Sequence, residues 1–247
     1  MVITAGILQN RLGIDKRIAD FFANQRSIPA NNLFWKDKRI YISMGFGFLT
    51  IPFAFDLMYK RGIELDILLD HDHVSLMEEG FDKLKKFETS LITYDEFIES
   101  CQQLLKGRIR QPDLAKDLFL LFSDQASTCF QFEKKYKALA RSDFFLFTLV
   151  DLALSNEWVS DFLPYWYSIA RPILLLDDFR DIEEDRLKGE ENTIIEMGDD
   201  KAAVEQAYSL GKQDLALLAS VNPLLAGFIL ELLDDSMNYA PIRQMIT

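Results

Sequence analysis

Four aspartates in the second half of the chain are spaced so that they can bind a metal ion together. Asp177, Asp181 and Asp185 follow one another at intervals of four, and Asp178 lies beside the first of them. Because an α-helix turns by about 100° per residue, an interval of four places side chains on one face. We call Asp177, Asp181 and Asp185 the acidic ladder. Their carboxylates suit Mg²⁺ or Mn²⁺, which keep coordination positions for water and phosphate.

Helix stability does not explain the acidic ladder. Like charges four residues apart destabilise a helix by about 0.2–0.5 kcal/mol per pair. The alternative, a solvated acidic helix end, fits most charge runs. Here, however, the run continues the apolar residues 173–176, which are typical of a buried helix, and its acidic positions are patterned around the apolar Ile182. We therefore expect a cation to neutralise the ladder.

The elements that position these residues are predicted to be helices. Eleven Gly, seven Pro and long runs of helix-forming residues predict an all-α fold. Apolar residues recur at helical spacing in 76–87, 97–105, 114–132, 144–154 and 202–218. Breaks are predicted at 27–32, 93–95, 107–112, 156, 188–192, 198–200 and 222–223, with a capping pair of Thr93 and Glu96. This predicts about nine or ten helices in one domain, residues 1–247.

Residues 177–192 resemble the second metal motif of class I terpenoid synthases. In that motif Asn or Asp, then Asp, then Ser, Thr or Asp, and finally Glu have the spacing of the four aspartates. The continuation Lys-Gly-Glu-Glu-Asn at 188–192 is similar to the basic residue, Gly, Glu and Asn that commonly follow. The chain departs from the family at Glu184-Asp185, where terpene synthases have Lys-Glu. Lys188, Arg186 or Arg180 could replace the missing positive charge.

Three sister families share parts of the same signature. Chain-elongating prenyltransferases have Asp-Asp-x-x-Asp with a further Asp four residues later. Squalene and phytoene synthases have Arg-Asp-x-x-x-Asp followed by Gly, as in Arg180 to Asp185 and Gly189. The resemblance implies a helical bundle of the isoprenoid synthase type with a central active-site cavity. It also implies Mg²⁺, with Mn²⁺ as an alternative, bound by the four aspartates.

The resemblance implies a second acidic helix upstream, for which two candidates remain. Asp56 ends an aromatic segment, as the first Asp of the usual Asp-Asp-x-x-Asp motif would, but Leu57 and Lys60 stand where further carboxylates are expected. Asp70 follows Asp66 at the Asp-x-x-x-Asp spacing of the squalene and phytoene synthases. The alternative for this second segment is an exposed loop between helices.

The resemblance also implies a diphosphate-binding cation and an aromatic wall. Arg141 precedes an apolar segment, much like the arginine that holds the diphosphate in terpene synthases, because a guanidinium can bind phosphate with two parallel hydrogen bonds. Most of the twenty Phe are expected in the core. Aromatic faces can also attract a carbocation. The candidates for this wall are Phe48, Phe55, Phe144 and Phe145.

Composition limits the partners. The net charge of −12 argues against nucleic acid or an anionic membrane as the main partner. Two cysteines without a Cys-x-x-Cys spacing, and no evident signal peptide in residues 1–10, predict a cytoplasmic protein without structural zinc or disulfides. The apolar stretch 40–57 contains two Gly and a Pro and reaches Asp56, so we interpret it as a buried helix and predict no integral membrane span.

The function that the resemblance implies is Mg²⁺-dependent ionisation of an isoprenyl diphosphate, followed by terpene cyclisation. In this hypothesis Arg141 and Lys188 act on the departing diphosphate and Arg180 helps to bind the substrate. One alternative is a chain-elongating or head-to-head prenyltransferase. A second is a non-catalytic helical relative that acts as a binding subunit, which the incomplete motif near Asp56 would suit. The oligomeric state, a homodimer included, is left open.

Overall fold

The structure is all-α, and this confirms the predicted fold class. The computed structural model describes residues 3–43, 45–133 and 135–247, except for the side chain of Phe46. Within these ranges the chain forms thirteen α-helices, one π-helical turn, one 3₁₀-helix and no strand. The isoprenoid synthase type of bundle, its central cavity and the single domain over 1–247 stay predictions.

The helices follow one another with short connections, apart from the stretches 26–45 and 123–136. In the first part of the chain they are α1 (Ala5–Asn10), α2 (Lys16–Asp20), the π-helical turn Phe21–Gln25, α3 (Phe46–Lys60), α4 (Leu65–Leu68), α5 (His71–Glu88), α6 (Tyr94–Leu105) and α7 (Pro112–Phe122). Then come α8 (Lys137–Ala140), the 3₁₀-helix Arg141–Leu149, α9 (Asn156–Lys188), α10 (Thr193–Met197), α11 (Lys201–Ala219), α12 (Pro223–Ser236) and α13 (Ala240–Ile246).

Local sequence signals explain where several helices begin. The predicted capping pair forms, because the Thr93 side chain accepts from the Glu96 backbone N–H while the Glu96 carboxylate accepts from the Thr93 N–H at 2.8 Å. Pro112 and Pro223 lie in the first turn of α7 and α12, where a missing N–H costs nothing. These polar and proline positions therefore fix the starts of three helices.

The predicted helix 114–132 is wrong beyond Phe122. α7 ends there, and Asp124 follows with a left-handed φ of 55°. The chain then folds back on Asp117, whose buried carboxylate accepts from the backbone N–H of Thr128, Cys129 and Phe130 at 2.6–2.9 Å. Phe130 and Phe132 are thus buried in a loop that is fixed to one carboxylate, which apolar periodicity does not reveal.

Two other predicted helices also differ from the structure. The segment 144–154 forms the end of the 3₁₀-helix Arg141–Leu149 and then turns, because residues 144–149 are buried on all sides and follow no single helical face. In the segment 40–57 the helix begins only at Phe46. None of the described helices is both long and apolar enough to cross a membrane.

The chain divides into two compact units. The first is built mainly from Lys16–Phe132 and Asp143–Phe162, and the second from Gly6–Asp15, Glu133–Ser142 and Leu163–Thr247. In the first unit α5 packs against α6, and a buried aromatic core includes Phe22, Trp35 and Phe55. This unit therefore relies on aromatic burial for its core.

In the second unit α11 is the central helix. It packs against α10, α12 and α13. Gly211 permits a close approach, since a Cβ added there would lie 2.8 Å from Leu233 Cδ2 and 3.3 Å from Leu175 Cδ1. Leu175 belongs to α9, so this contact also fixes the helix that carries the acidic ladder.

Candidate functional site

The acidic ladder lies near the end of α9, as predicted, but its members differ in exposure. Asp177 is exposed, 42% of the Asp181 side chain is accessible, and Asp185 is buried. The apolar residues before the ladder pack inside the second unit, whereas α9 becomes exposed toward Lys188. Two carboxylates of the ladder are therefore open to a ligand, and the third is enclosed.

Asp178 is the most enclosed of the four aspartates, with 1% of its surface accessible. Its Oδ1 accepts from Arg141 Nη2 at 2.7 Å, and its Oδ2 accepts from the Thr193 backbone N–H at 2.9 Å. Arg141 Nε donates to the Ala138 carbonyl at 2.8 Å, which fixes the guanidinium plane. The structure thus brings together Arg141 and the acidic motif, two features that the sequence places 37 residues apart.

Asp185 is held by Asn192. The Asn192 Nδ2 group donates to Asp185 Oδ2 and to the Asp178 backbone carbonyl, both at 2.8 Å. The Asn192 Oδ1 caps α10 by accepting from the N–H groups of Ile194 and Ile195. One buried side chain therefore links the last turns of α9 to the start of α10.

The electrostatics of the motif favour a cation. Loss of hydration raises the pKa of Asp177, the neighbouring carboxylate of Asp181 raises it further, and Arg141 opposes both. Burial likewise raises the pKa of Asp178, although Arg141 and the hydrogen bonding of Thr193 oppose this. Raised pKa values mean that the negative charges are incompletely compensated by the protein, so a bound cation would stabilise them.

The other predicted cations are engaged at the surface. Lys188 forms an ion pair with Glu184, so the residue that replaces the family's lysine is itself neutralised by Lys188. Arg180 is 73% exposed and its Nε lies 3.8 Å from Asp181. Arg186 binds Asp199 through two hydrogen bonds. Arg141 is thus the basic residue that combines partial burial with a direct contact to the motif.

The described residues form no ready-made cage of metal ligands. Within residues 3–43, 45–133 and 135–247, no three His, Cys, Asp or Glu side chains are grouped so that they could hold a metal ion. Mg²⁺ commonly takes one or two carboxylates and completes its shell with water and phosphate. The exposed carboxylates of Asp177 and Asp181 fit this second kind of site.

The two candidates for the first metal motif lie in the first unit and have protein partners. Asp56 is buried in α3 and pairs with Lys60 at 2.7 Å, one helical turn away. Asp70 caps α5 by accepting from the N–H groups of Asp72 and His73. The role predicted for either residue at a metal stays a prediction.

The two histidines near Asp70 do not form a pair of ligands. His71 is exposed, while His73 is buried and its Nδ1 lies 2.9 Å from Asp151 Oδ1. Residues two apart on a helix point to nearly opposite sides, which explains the difference. Sequence reasoning missed the pairing of His73 with Asp151, because 78 positions separate the two residues and no local pattern connects them.

The four aromatic candidates all belong to the first unit. Phe55, Phe144 and Phe145 are buried, whereas Phe48 is half-buried with the Lys38 ammonium 5.0 Å from its ring centre. Phe144 and Phe145 line a narrow apolar cavity of ≈ 20 Å³ together with residues of α5 and α6. A cavity of this size holds about one water molecule, so it does not accommodate a prenyl chain.

Comparison with known proteins adds no identification. No protein-family profile, curated protein or solved structure matches the chain.

Proposed function

We propose that the protein is a class I terpene synthase that ionises an isoprenyl diphosphate with Mg²⁺ and cyclises the resulting allylic cation. The observation that carries this proposal is the contact of Arg141 with Asp178, directly beside the exposed carboxylates of Asp177 and Asp181. A basic group and two accessible acidic groups at one place are what a metal-bound diphosphate requires.

Asp177 and Asp181 would hold Mg²⁺, with Mn²⁺ as an alternative. Both offer hard oxygen ligands, and the raised pKa of Asp177 means that its negative charge lacks full compensation. When bound, the ion would supply Lewis-acid neutralisation of the charge that develops on the departing diphosphate. The chain's contribution is to present both carboxylates one helical turn apart on α9.

Arg141 would bind and orient the diphosphate. Two of its five N–H groups are used by Ala138 and Asp178, and it donates no other hydrogen bond to the described part of the chain. Its side chain is 37% exposed, so the remaining donors can reach a ligand. As the C–O bond of the substrate breaks, these donors would stabilise the negative charge on the leaving group.

The proposed reaction requires an apolar wall that excludes water from the carbocation. Phe48, Phe55, Phe144 and Phe145 stay predictions for this wall from the resemblance alone, and the ≈ 20 Å³ cavity that Phe144 and Phe145 line is too small to be the substrate pocket. Aromatic faces attract a cation by about 0.5–2 kcal/mol each. The contact of the Lys38 ammonium with the Phe48 ring is one such interaction within the protein.

A second candidate function is that of a non-catalytic binding subunit. The pairing of Asp56 with Lys60 and the capping role of Asp70 favour it, because both upstream carboxylates already serve the protein itself. A relative that has lost its first metal motif would retain the fold and lose turnover.

One assay separates the candidates. The protein would be incubated with C10, C15 or C20 prenyl diphosphates and Mg²⁺, with and without isopentenyl diphosphate. Release of pyrophosphate with a hydrocarbon product identifies a terpene synthase, and a longer product formed from isopentenyl diphosphate identifies a chain-elongating prenyltransferase. Head-to-head coupling joins two molecules of one substrate. Absence of turnover with all substrates contradicts the proposal and favours the binding subunit.

Matched variants connect such turnover to the site. Asp177→Asn and Asp181→Asn each remove one carboxylate from the exposed part of the ladder and are expected to abolish turnover. Glu183→Gln removes the same charge from an exposed position of the same helix and is expected to leave turnover intact. Full activity in both aspartate variants would contradict the assigned site.

A further inference from the structure

We infer that Asn192 is a positioning residue. It fixes Asp178 and Asp185 as structural carboxylates, which leaves Asp177 and Asp181 as the metal-binding pair. Asn192 holds the Asp185 carboxylate beside the start of α10, so only the carboxylates of Asp177 and Asp181 remain accessible to bind the cation. The inference rests on the proposed function, since it specifies which side chains of that site contact the metal. It departs from the resemblance, which assigns all four aspartates to the metal.

The hydrogen-bonding capacity of Asn192 is fully used. Its two Nδ2 protons go to the Asp178 carbonyl and to Asp185, and its Oδ1 accepts two backbone N–H groups. Only 1% of Asn192 is accessible. A buried amide with all four hydrogen bonds made has one stable orientation, so Asp185 is held in place with it.

The carboxylate of Asp178 is also fixed by hydrogen bonds, but from groups other than the Asn192 side chain. Its carboxylate accepts from Arg141 and from the Thr193 backbone N–H, and its carbonyl accepts from Asn192. If Asp178 turned toward a metal ion, the buried Thr193 N–H would lose its acceptor, which costs about 1–3 kcal/mol. Asp178 is thus better suited to orienting Arg141 than to binding the ion.

Asp177 and Asp181 have no comparable partners. Asp177 accepts no hydrogen bond from a side chain or a neighbouring segment within the described residues, and the ion pair of Asp181 with Arg180 spans 3.8 Å at the surface. Both carboxylates can therefore bind an ion without breaking a buried hydrogen bond. We therefore assign metal binding to Asp177 and Asp181, because they lack the hydrogen-bond partners that hold Asp178 and Asp185.

The variant Asn192→Asp separates positioning from helix capping. Aspartate caps a helix as well as asparagine does, so α10 keeps its cap. The variant loses both Nδ2 donors and places a second carboxylate against Asp185. The end of α9 and the Asp178 backbone that supports Arg141 then lose their fixed position. We expect Mg²⁺ binding in the presence of inorganic pyrophosphate, measured by calorimetry, to weaken by about 10–100-fold, the range typical of the loss of an outer-shell partner.

Asn222→Asp is the matched control. Asn222 is also buried, caps α12 through Oδ1 and donates from Nδ2 to the carbonyl groups of Leu12 and Gly13. Its substitution removes the same kind of bonds elsewhere in the second unit. We expect it to lower the thermal unfolding temperature and to leave Mg²⁺ binding unchanged. Equal effects of both variants on Mg²⁺ binding would overturn the positioning role.

Exchange of the two partners provides a rescue. In the double variant Asn192→Asp, Asp185→Asn the amide and the carboxylate change places, and Mg²⁺ binding should recover toward the wild-type value. Should Asn192→Asp fail to fold, Asp185→Asn alone decides the question, because its amide oxygen can still accept from Asn192. It should retain Mg²⁺ binding while Asp181→Asn loses it.

The possible results test the role of Asn192 separately from the proposed metal site on which it rests. If Asp185→Asn loses Mg²⁺ binding as completely as Asp181→Asn does, Asp185 is itself a metal ligand. The division into metal-binding and structural carboxylates would then be wrong, while the proposed metal site would stand. If the wild-type protein does not bind Mg²⁺ with pyrophosphate, both the site and the inference are overturned.

Discussion

Arg141 Nη2 lies 2.7 Å from Asp178 Oδ1, and this contact joins the short helix α8 and its continuation to the long helix α9. The contact gives Arg141 a fixed direction while leaving part of its guanidinium open. It also places a positive charge beside Asp177, where it opposes the rise in that residue's pKa. Asp178 therefore serves as a support for the proposed diphosphate-binding group.

Removal of Arg141 should destabilise the second unit. Arg141→Ala leaves the buried Asp178 carboxylate without its charged partner; because the arginine is partly exposed, we expect a cost of about 1–2 kcal/mol rather than the larger cost of a fully buried pair. Urea unfolding measures this cost. Arg180→Ala, at a more exposed position, should change the free energy of unfolding by less than about 0.5 kcal/mol. Equal costs would contradict the supporting role of Asp178.

Asp214 should make stability depend on pH. Burial raises its pKa to about 6, despite the hydrogen bonds from Arg171, and Glu133 on the other side of Arg171 adds to the rise. Because the folded state holds this proton more tightly than the unfolded state, the stabilisation is complete below about pH 4. It is lost as the pH rises through about 6.

Asp214→Asn removes this titration. The free energy of unfolding of the wild type should fall by about 1–3 kcal/mol more than that of the variant between pH 4 and pH 7. Urea unfolding at constant ionic strength measures the difference. Asp235→Asn, at an exposed position of α12, is the control and should follow the wild-type curve. Parallel curves for wild type and Asp214→Asn would refute the prediction.

Two helix glycines should respond oppositely to alanine. A Cβ added at Gly227 in α12 would meet no atom within 4 Å, so Gly227→Ala should stabilise the protein by about 0.5–1 kcal/mol through helix propensity. Gly211→Ala would press against Leu233, and crowding of about 1–3 kcal/mol should cancel or exceed the same gain. Thermal unfolding of both variants provides the comparison, and equal stabilisation would show that α11 and α12 can separate.

Asp117 should be essential for the loop that follows α7. Asp117→Ala leaves three backbone N–H groups of residues 128–130 without their acceptor, and we expect a loss of about 3 kcal/mol or more. Lys116→Ala, on the exposed side of the same helix, should stay within about 0.5 kcal/mol of the wild type. A small effect of Asp117→Ala in urea unfolding would mean that apolar burial alone holds the loop.

Local patterns predicted the helices well where one face is apolar. The starts of α6, α7 and α12 follow from Thr93, Pro112 and Pro223. The patterns failed at 123–132 and 144–154. There, burial depends on a carboxylate that binds a distant backbone segment or on an apolar run without a polar face, and neither has helical periodicity.

The sequence predicted the aspartates of the candidate site but not the hydrogen bonds that hold them. The spacing of the acidic ladder follows from helix geometry, and its position near the end of α9 agrees with it. The sequence placed Asn192 in a predicted break and in the continuation of the metal motif, and neither pattern indicated that its side chain both caps α10 and holds Asp185. Its bonds to Asp178 and Asp185 depend on how the chain reverses after Gly189, which sequence spacing does not specify.

The central claim is tested most directly by a crystal structure of the protein with Mg²⁺ and pyrophosphate. We predict that the carboxylates of Asp177 and Asp181 contact the metal and that Arg141 donates to the pyrophosphate, while Asp178 and Asp185 keep their present partners. A structure in which Asp177 and Asp181 face bulk solvent and bind neither metal nor pyrophosphate would contradict the account.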